Sequence, residues 1–519
     1  MSKLPNILKV KLLLVLILFY ASGSFAQKEA NWWYFGSKAG LNFNTIVGGL
    51  PTPVANGSMV TQEGCASISD ANGVLQFYTD GKTVWNRNHS VMPNGTGLLG
   101  NNSSTQSAVI VPFPGNKSKY YVFTIWTSTT TGFRYSVVDM TQSSGLGSVV
   151  ASSKNTSIFA PTCERITATA RTGGGYWVIA QHKSSNKYSA YAITSAGIAT
   201  TAVSTSIGPV AGSGIGYMKL SPLGDKLGVG YHSKQCFVLD FNKSTGVLSN
   251  LKQDLGHKAY GVEFSPDGKL FYACTGSSGV SIKQYDAYAT SSTAFVASAT
   301  SLTATGITAY GIQLGPDGKI YITSYMKNKL AVIHNPNVVG VGCSLNLNGP
   351  VIPTGAHCRI GFPTFVQSFF NPTTFSVKDA CDGSWVKISV KDTAAVDSVL
   401  YVYGDTASST NSSWNKLDSH IFSGPGKYKL TAYAFYTDPK NKVVRDTLTD
   451  TVTVLQIPQV VLPNDTTICT SDSIQGLVKN AVYSSPYQGF WHDSTQTDWF
   501  TIDTAGKYYY WATNRCGTG

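Results

Sequence analysis

The chain has 519 residues and a formal charge of +12, and 13% of its residues are Asp, Glu, Lys or Arg, against about 25% in ordinary soluble domains. Four residues are Glu, whereas 23 are Asp and 51 are Gly, and aromatic residues make up 12%. Because Glu favours helices while Asp and Gly favour turns, this composition excludes helical bundles and predicts short strands joined by tight turns. A hydrophobic share of 42% excludes a disordered chain.

The first 26 residues have the pattern of a secretory signal peptide. Lys3, Lys9 and Lys11 precede an apolar run at 12–20, and small residues then suit cleavage after Ala26. The alternative is an N-terminal membrane anchor, but the apolar run is shorter than the roughly 20 residues that a span needs. We therefore expect an exported protein, secreted or at the cell surface, with no transmembrane segment in the mature chain.

Repeats with a strand–turn–strand pattern organise residues 30–371. Three copies, at 217–227, 260–270 and 310–320, have Pro and Gly in the turn, and the turns are 44 and 50 residues apart. This spacing is the length of a four-stranded propeller blade. Weaker copies at 67–78, 109–123 and 166–179 make six hairpins, and residues 32–36 could join 365–370 in a seventh blade. We predict a six- or seven-bladed β-propeller at 27–371, with a β-solenoid or two sandwiches as the alternatives.

The propeller segment also carries a series of sequence words that resembles a narrower family. They are found at 31–36, 39–43, 63–70, 77–81, 84–89, 92–95 and 103–108. They are similar to the propeller region of large secreted proteins of gliding diderm bacteria, which often end in a gliding-motility sorting domain used by type IX secretion. The resemblance implies a position outside the outer membrane, and contact with the export machinery if a sorting domain follows Gly519. It brings no established catalytic residues.

Two β-sandwich modules are predicted after the propeller. Residues 402–405, Val-Tyr-Gly-Asp, and the segment 423–431 resemble polycystic-kidney-disease (PKD) type immunoglobulin-like domains, and we place this module at 372–457. The module at 458–519 has an early Cys, a central Trp491 and a late Cys, which suits an immunoglobulin-like sandwich. Its last strand is missing, so we expect it to be incomplete at the C-terminus.

Export allows disulfides among the nine cysteines. We predict Cys343–Cys358, which flank a loop rich in Gly, Pro and Asn, and Cys469–Cys516, which bracket the strands around Trp491. Five cysteines are left without a predicted partner: Cys65, Cys163, Cys236, Cys274 and Cys381. Because their number is odd, at least one of them has a free thiol or a partner outside this sequence.

Searches for catalytic and metal-binding motifs find none that predicts a cofactor or a metal site. Asp70-Ala-Asn-Gly73 has oxygen ligands but lacks the acidic residue that closes a calcium loop. A glycosidase needs two acids in one cleft, and the candidates near inner strands are Glu63, Glu164 and Glu263. A surface enzyme acting on polysaccharide or peptide, with its active site at the channel mouth, is therefore the alternative function.

A binding or adhesion protein without enzymatic activity is the preferred prediction, with an extracellular glycan or protein as the partner and the sandwiches as spacers. The candidate ligand-binding residues are Glu63, Arg165, Tyr260 and Tyr310 at the channel mouth and Trp85, Arg87 and His89 on a neighbouring turn. The same tyrosines could instead pack between blades.

The positive charge is concentrated in the predicted propeller. Residues 27–371 hold 24 Lys and Arg against 13 Asp and Glu, whereas residues 372–519 hold 12 against 14. Spread over six or seven blades, this charge is too sparse for nucleic acid, but it is compatible with an acidic polysaccharide.

Overall fold

A computed structural model describes residues 28–518 with gaps that become frequent after residue 371. The described ranges are 28–172, 174–232, 234–276, 281–303, 306–371, 377–390, 396–437, 443–458, 460–461, 467, 474–477, 479–480, 488–494, 499–502, 504 and 506–518. The predicted signal peptide lies outside them. The described chain divides into two compact units, one with residues 28–371 and Ala434–Leu448 and the other with the remaining residues.

Seven antiparallel sheets follow one another within the described residues 28–371. The first three contain β1 (Trp32–Phe35), β2 (Ala39–Val47) and β3 (Leu50–Val54); β4 (Ala66–Ser69), β5 (Leu75–Thr79), β6 (Thr83–Asn86) and β7 (Val91–Thr96); and β8 (Ala108–Phe113), β9 (Asn116–Trp126), β10 (Gly132–Asp139), β11 (Ser148–Val149) and β12 (Thr156–Phe159). The fourth and fifth contain β13 (Thr162–Ala170), β14 (Tyr176–His182), β15 (Lys187–Thr194), β16 (Gly197–Ile198) and β17 (Val203–Ser206); and β18 (Met218–Leu220), β19 (Lys226–Tyr231), β20 (Gln235–Phe241) and β21 (Leu248–Asp254). The sixth and seventh contain β22 (Gly261–Phe264), β23 (Leu270–Cys274), β24 (Ser281–Asp286) and β25 (Thr300–Thr303); and β26 (Ala309–Leu314), β27 (Ile320–Ser324), β28 (Ala331–Ile333) and β29 (Leu345–Asn346).

Helical structure in the described residues is confined to short segments. They are the helix α1 (Ser292–Ala297) and the 3-10 turns Ser143–Gly145, Ala151–Ser153, Gly340–Cys343 and Gln367–Phe370. The described residues contain no helix that is both long and apolar enough to cross a bilayer.

The six predicted hairpins coincide with the first two strands of sheets two to seven. In the clearest case, Ser265 donates its backbone N–H to Leu270 O at 2.9 Å, and Gly268 has a φ of +71°. The hydroxyl of Ser265 also donates to Asp267 Oδ1 at 2.6 Å. The Pro-Asp-Gly sequence therefore specifies the turn as expected, because Gly supplies the positive φ and Asp the acceptor.

The sheets form a closed ring around a central channel. Backbone hydrogen bonds of 2.7–3.1 Å join neighbouring sheets at the starts of their innermost strands, with the donors given first: Ile360 to Gln62, Glu63 to Asn102, Gln106 to Glu164, Glu164 to Gly214, Tyr217 to Tyr260, Gly276 to Ala309 and Gly311 to Ile360. Gly276 belongs to the turn after β23, and the other donors lie at or just before an innermost strand or in the closing segment. All innermost strands therefore start at the same end of the ring, which we call the channel mouth. The all-β propeller fold is confirmed.

The first sheet is completed from both ends of the propeller segment. Ser37 exchanges two backbone hydrogen bonds with His357, at 3.0 and 3.1 Å. Trp33 packs against Phe362 and Phe365, with ring centroids 5.2 and 5.9 Å apart. This arrangement agrees with the seven-bladed alternative.

The segment after His357 also fills the channel below the mouth. It runs past the innermost strand of the second sheet, where Thr364 donates to Cys65 O at 2.8 Å. It then reaches the fourth sheet, where Val366 forms a bridge with Ala168. Its apolar side chains from 362 to 370 are buried, so the channel is a packed core rather than an open pore.

The predicted Cys343–Cys358 disulfide is wrong, because both thiols are free and buried. Cys343 ends a 3-10 turn that leads into the outermost strand of the seventh sheet. The backbone N–H of Cys358 donates to the carbonyl oxygen of Lys327 at 2.8 Å, just after the second strand of that sheet. Neighbouring strands are about 4.8 Å apart, so the width of the sheet separates two cysteines that are close in sequence.

The described residues after 371 also consist of strands, of which the parts within Ala434–Leu448 belong to the first unit and the rest to the second. They are β30 (Ala380–Cys381), β31 (Val386–Ser389), β32 (Ser398–Val402), β33 (Ser412–Ser413), β34 (Leu417–His420), β35 (Gly426–Thr437), β36 (Val443–Leu455), β37 (Val460–Val461), β38 (Ile474–Leu477), β39 (Lys479–Asn480), β40 (Gln488–Trp491), β41 (Trp499–Ile502), β42 (Tyr510–Asn514) and β43 (Gly517–Thr518). One sheet has the order β30-β36-β35-β32-β33, and β31 pairs with β34.

The disulfide of this unit joins Cys381 to Cys516, so the predicted Cys469–Cys516 pairing is also wrong. Cys381 lies on β30, next to the long strand β36, and was among the cysteines without a predicted partner. Cys469 lies outside the described residues. The bond links positions 135 residues apart and so ties the beginning of the second unit to its end.

Candidate binding site at the channel mouth

Glu63 lies at the mouth, in the segment that leads into β4. The hydroxyl of Tyr260, from the sixth sheet, donates to Glu63 Oε2 at 2.7 Å, and the hydroxyl of Ser103 donates to Oε1 at 3.3 Å. Burial raises the pKa of Glu63 to about 7, although the bond from Tyr260 opposes this rise. The structure therefore brings together Glu63 and Tyr260, two predicted site residues that are 197 positions apart.

Glu164 is the second carboxylate of the mouth. Its Oε2 accepts hydrogen bonds from both the backbone N–H and the hydroxyl of Thr105, each at 3.2 Å. Burial raises the pKa of Glu164, and the charge of Glu164 contributes to the raised pKa of Glu63. With a pKa of about 7, Glu63 can hold or release a proton near neutral pH.

Tyr260 is positioned by two other rings. The ring of Tyr310 meets it edge-on at 5.6 Å, and the ring of His232 does the same from the fifth sheet. Tyr260 is buried, whereas Tyr310 is half-buried and His232 is exposed. The alternative in which the tyrosines pack between blades is realised for Tyr260, which also bonds to Glu63, whereas contact of these tyrosines with a ligand stays a prediction.

Arg165 points away from the mouth and into the protein. Its side chain is 1% exposed, and its guanidinium donates to the carbonyl oxygens of Gly214, Ile215 and Gly230 at 3.0–3.3 Å. It also lies over the ring of Tyr231, 4.5 Å from the centroid. The prediction that Arg165 contacts a ligand is wrong, since all of these bonds connect the fourth sheet to the fifth.

Glu263, the third candidate acid, is a structural residue. It is fully buried and forms an ion pair with Lys219 at 2.8 Å. Lys219 also donates to Ile312 O and Gln313 Oε1, while Glu263 Oε2 accepts from the backbone N–H of Leu314 at 2.8 Å. The two charges satisfy each other between sheets five, six and seven, so Glu263 has no access to a substrate.

Trp85, Arg87 and His89 do not belong to the mouth. Trp85 stacks on Tyr78 with centroids 5.6 Å apart, and His89 Nδ1 lies 3.2 Å from the Tyr78 hydroxyl. Arg87 follows β6, in the turn that leads to the outer strand of the second sheet. Trp85 and His89 belong to an aromatic contact between the first two sheets, in which Tyr34 stacks on Tyr78 at 4.5 Å.

A set of lysines surrounds the mouth, and the sequence analysis did not identify it. In four sheets, the turn between the second and third strands, counted from the channel, carries one: Lys82, Lys183, Lys234 and Lys327. In the first sheet, which the closing segment at His357 completes, Lys38 lies in the turn between β1 and β2. We call these five residues the lysine ring. Antiparallel meanders place this turn at the end where the innermost strand begins, so all five lie on the mouth face.

The turns of the lysine ring are held against the mouth by backbone hydrogen bonds. Lys38 donates to Met59 O at 2.9 Å and Lys183 to Pro161 O at 3.3 Å, while Lys327 O accepts from Cys358 at 2.8 Å. Four of the five side chains are exposed and Lys183 is half-buried. None forms an ion pair with a carboxylate in the described part of the chain. The Nζ of Lys183 donates to Thr127 O at 3.4 Å, whereas the other four side chains are exposed to solvent.

No cluster of His, Cys, Asp and Glu with the arrangement of a metal site occurs in the part of the chain that was searched. His257, which the sequence places near a hairpin, is buried with Nε2 3.3 Å from Ala273 O. Burial lowers the pKa of His257, which favours its neutral form.

No family model and no curated protein sequence matches the chain. Among solved structures, it is similar to a candidate 6-phosphogluconolactonase from Bacteroides uniformis, with 13% identity, a TM-score of 0.33 and coverage of 73% of this chain and 91% of the other. It is also similar to the Cps50 (Swd1) β-propeller domain of Myceliophthora thermophila, with 10% identity, a TM-score of 0.37 and coverage of 58% and 92%. A third similarity is to the extracellular domain of a candidate one-component system from B. thetaiotaomicron, with 11% identity, a TM-score of 0.36 and coverage of 83% and 56%. Similarity at this level does not identify a function.

Proposed function

We propose that the protein is an exported, non-enzymatic binding protein whose propeller binds an acidic polysaccharide across the mouth face. The observation that carries this proposal is the lysine ring, which presents cations from five of the seven sheets around one opening. Exposed cations without carboxylate partners attract polyanions and increase the rate of encounter. The second unit would act as a spacer between the propeller and the cell surface.

A polymer suits this arrangement better than a small anion. The five lysines lie on separate sheets, so a single small molecule cannot contact them together, whereas a chain of uronic acid or sulfated sugars can. Each exposed ion pair between a lysine and the polysaccharide contributes about 1 kcal/mol or less to the binding free energy. Several such pairs on one polysaccharide molecule strengthen binding together, because the first contact raises the effective concentration for the next. The hydroxyls of Ser103 and Tyr310 supply hydrogen-bonding groups at the centre of the ring.

The binding test compares two double variants with equal changes in charge. Lys82→Gln/Lys327→Gln removes two cations from the mouth face, and Lys117→Gln/Lys269→Gln removes two exposed cations from the opposite end of the sheets. We expect the first to weaken binding to alginate about fivefold and to flatten its salt dependence, and the second to leave both unchanged. Equal effects of the two variants, or no binding of alginate by the wild type, would refute the proposal.

Glycan hydrolysis or lyase activity at the mouth is a second candidate, favoured by the carboxylate pair Glu63 and Glu164. Two carboxyl groups at one site can divide the roles of general acid and general base. Product release from alginate or from neutral glycans, abolished by Glu63→Gln or Glu164→Gln, would establish it. Binding without turnover supports the first proposal.

Surface attachment and type IX export are parts of the proposal that rest on the sequence resemblance. They require a sorting domain after Gly519. The gene sequence beyond Gly519, together with immunodetection of the protein on intact cells, tests both.

A further inference from the structure

We propose a second ligand site in the second unit, a cleft that binds a neutral β-linked glycan. The cleft has a volume of about 360 Å³ and is lined by nine residues between β31–β34 and β32–β33. This volume lies within the range of small-molecule sites, about 300–1,000 Å³. The proposal concerns this unit alone and does not depend on the function proposed for the propeller.

The cleft has an aromatic wall that is open to solvent. Trp385, which precedes β31, is 67% exposed, and Ile421 beside it is 37% exposed. The side chain of an exposed Trp offers a flat face with negative electrostatic potential. The C–H groups on the flat face of a β-linked pyranose carry partial positive charge and pack on such a surface.

The rest of the lining is rich in hydroxyl groups. It includes Thr410, Ser412 and Ser413, and Ser419 and the carboxylate of Asp418 come from β34. Hydroxyls donate and accept, and a carboxylate accepts, so these groups can satisfy the hydroxyls of a sugar ring. One aromatic wall together with several short polar side chains fits a glycan better than an apolar ligand.

The floor of the cleft is rigid because its rings are fixed from below. Tyr403 stacks on His420 with centroids 4.1 Å apart, and its hydroxyl donates to Asp418 Oδ2 at 2.5 Å. His420 Nε2 lies 3.1 Å from Asp405 Oδ2, and Asp405 also accepts from the backbone N–H of Ser423 at 2.8 Å. Asp405 is buried, and hydrogen bonds from Ser423 and His420 keep its pKa below the usual range despite burial. Such supporting contacts hold a binding surface in one geometry.

The chain offers a matched control for the aromatic wall. Trp414 lies in the same unit and is 60% exposed, yet it is not part of the cleft lining. Trp385→Ala and Trp414→Ala therefore remove similar exposed surface, and only the first changes the cleft. Trp385→Phe keeps a flat ring at the same position.

The experiment is calorimetric titration of the purified protein and the three variants with cellohexaose, laminarihexaose and xylohexaose. We expect the wild type to bind at least one of them, Trp385→Ala to weaken binding at least tenfold, Trp385→Phe to weaken it less, and Trp414→Ala to leave it unchanged. Circular dichroism and the melting temperature verify that each variant is folded. Absence of binding to all three probes, or equal losses in Trp385→Ala and Trp414→Ala, overturns the proposal. A proline-rich peptide that binds in place of the oligosaccharides, with the same dependence on Trp385, would assign the cleft to protein ligands and also overturn it.

Discussion

Replacing Glu63 by Gln should change the pH dependence of stability. Burial raises the pKa of Glu63 from 4.5 to about 7. A pKa shift of this size changes the free energy of unfolding by at most about 3 kcal/mol. Because the side chain is half-buried, solvent screening reduces this contribution to about 1–2 kcal/mol. The folded state binds the proton more tightly than the unfolded state. The contribution of protonated Glu63 to the free energy of unfolding is therefore complete below pH 4.5 and is lost as the pH rises to 7.

The Gln side chain is always neutral and keeps an acceptor for the Tyr260 hydroxyl. We therefore expect Glu63→Gln to be close to wild type at pH 5 and more stable by about 1–2 kcal/mol at pH 8. Urea unfolding of the purified protein at both values measures the difference.

The pKa itself can be measured directly, because the chain contains only four Glu residues. Protein labelled with ¹³C-glutamate gives few carboxyl resonances, and the one lost in Glu63→Gln belongs to Glu63. A midpoint near 4.5 for this resonance would refute the reasoning. So would a stability difference between wild type and Glu63→Gln that is the same at pH 5 and pH 8.

Four further predictions follow from the contacts of individual residues. Glu164→Gln should lower the pKa of Glu63, because it removes a neighbouring negative charge, and the same labelled protein shows the shift. Lys219→Met should destabilise the protein by about 3–5 kcal/mol in urea unfolding, because it leaves Glu263 charged and buried; the double variant with Glu263→Gln should recover part of this loss. Arg165→Met should lower the free energy of unfolding, measured in urea, by about 2–4 kcal/mol, because three buried carbonyl groups lose their donor. Arg87→Met should lower it by less than about 0.5 kcal/mol. Peptide mapping under non-reducing conditions should yield a Cys381–Cys516 linked pair, and Cys381→Ser should lower the melting temperature of the second unit, since a long loop is no longer closed.

The sequence was sufficient to predict the repeating part of the fold, because each repeat is specified by neighbouring residues. The Pro-Asp-Gly turn at 266–268 needs no distant contact to form, and the turn sets the register in which β22 and β23 pair. The positions of Glu63 and Tyr260 at one opening also follow from local information, since both residues come shortly before an innermost strand. The bond between them could not be predicted, because it depends on closure of the whole ring.

The errors concern contacts between sheets. Arg165 was expected at the mouth on the basis of its position in the repeat, but its side chain extends sideways to carbonyl groups of the fifth sheet. The disulfides were paired by distance along the chain, although a bond such as Cys381–Cys516 depends on strand order in space. The lysine ring was missed because its members share no surrounding motif. The signal that could have found it is a Lys in the second turn of repeat after repeat, for example Lys82 and Lys234.

The filled channel bears on the choice between binding and catalysis at the mouth. Phe362 and Phe365 occupy the space below the opening, so a ligand cannot enter the channel and lose most of its contact with water. An enclosed site strengthens electrostatic stabilisation of a transition state, whereas a shallow surface around Glu63 leaves water in contact with the ligand. A long anionic polysaccharide loses little affinity in such an open site, because its affinity comes from many weak contacts with the lysine ring and does not depend on enclosure. The closing segment that completes the first sheet therefore also favours a polymer on the mouth face over a small substrate inside the channel.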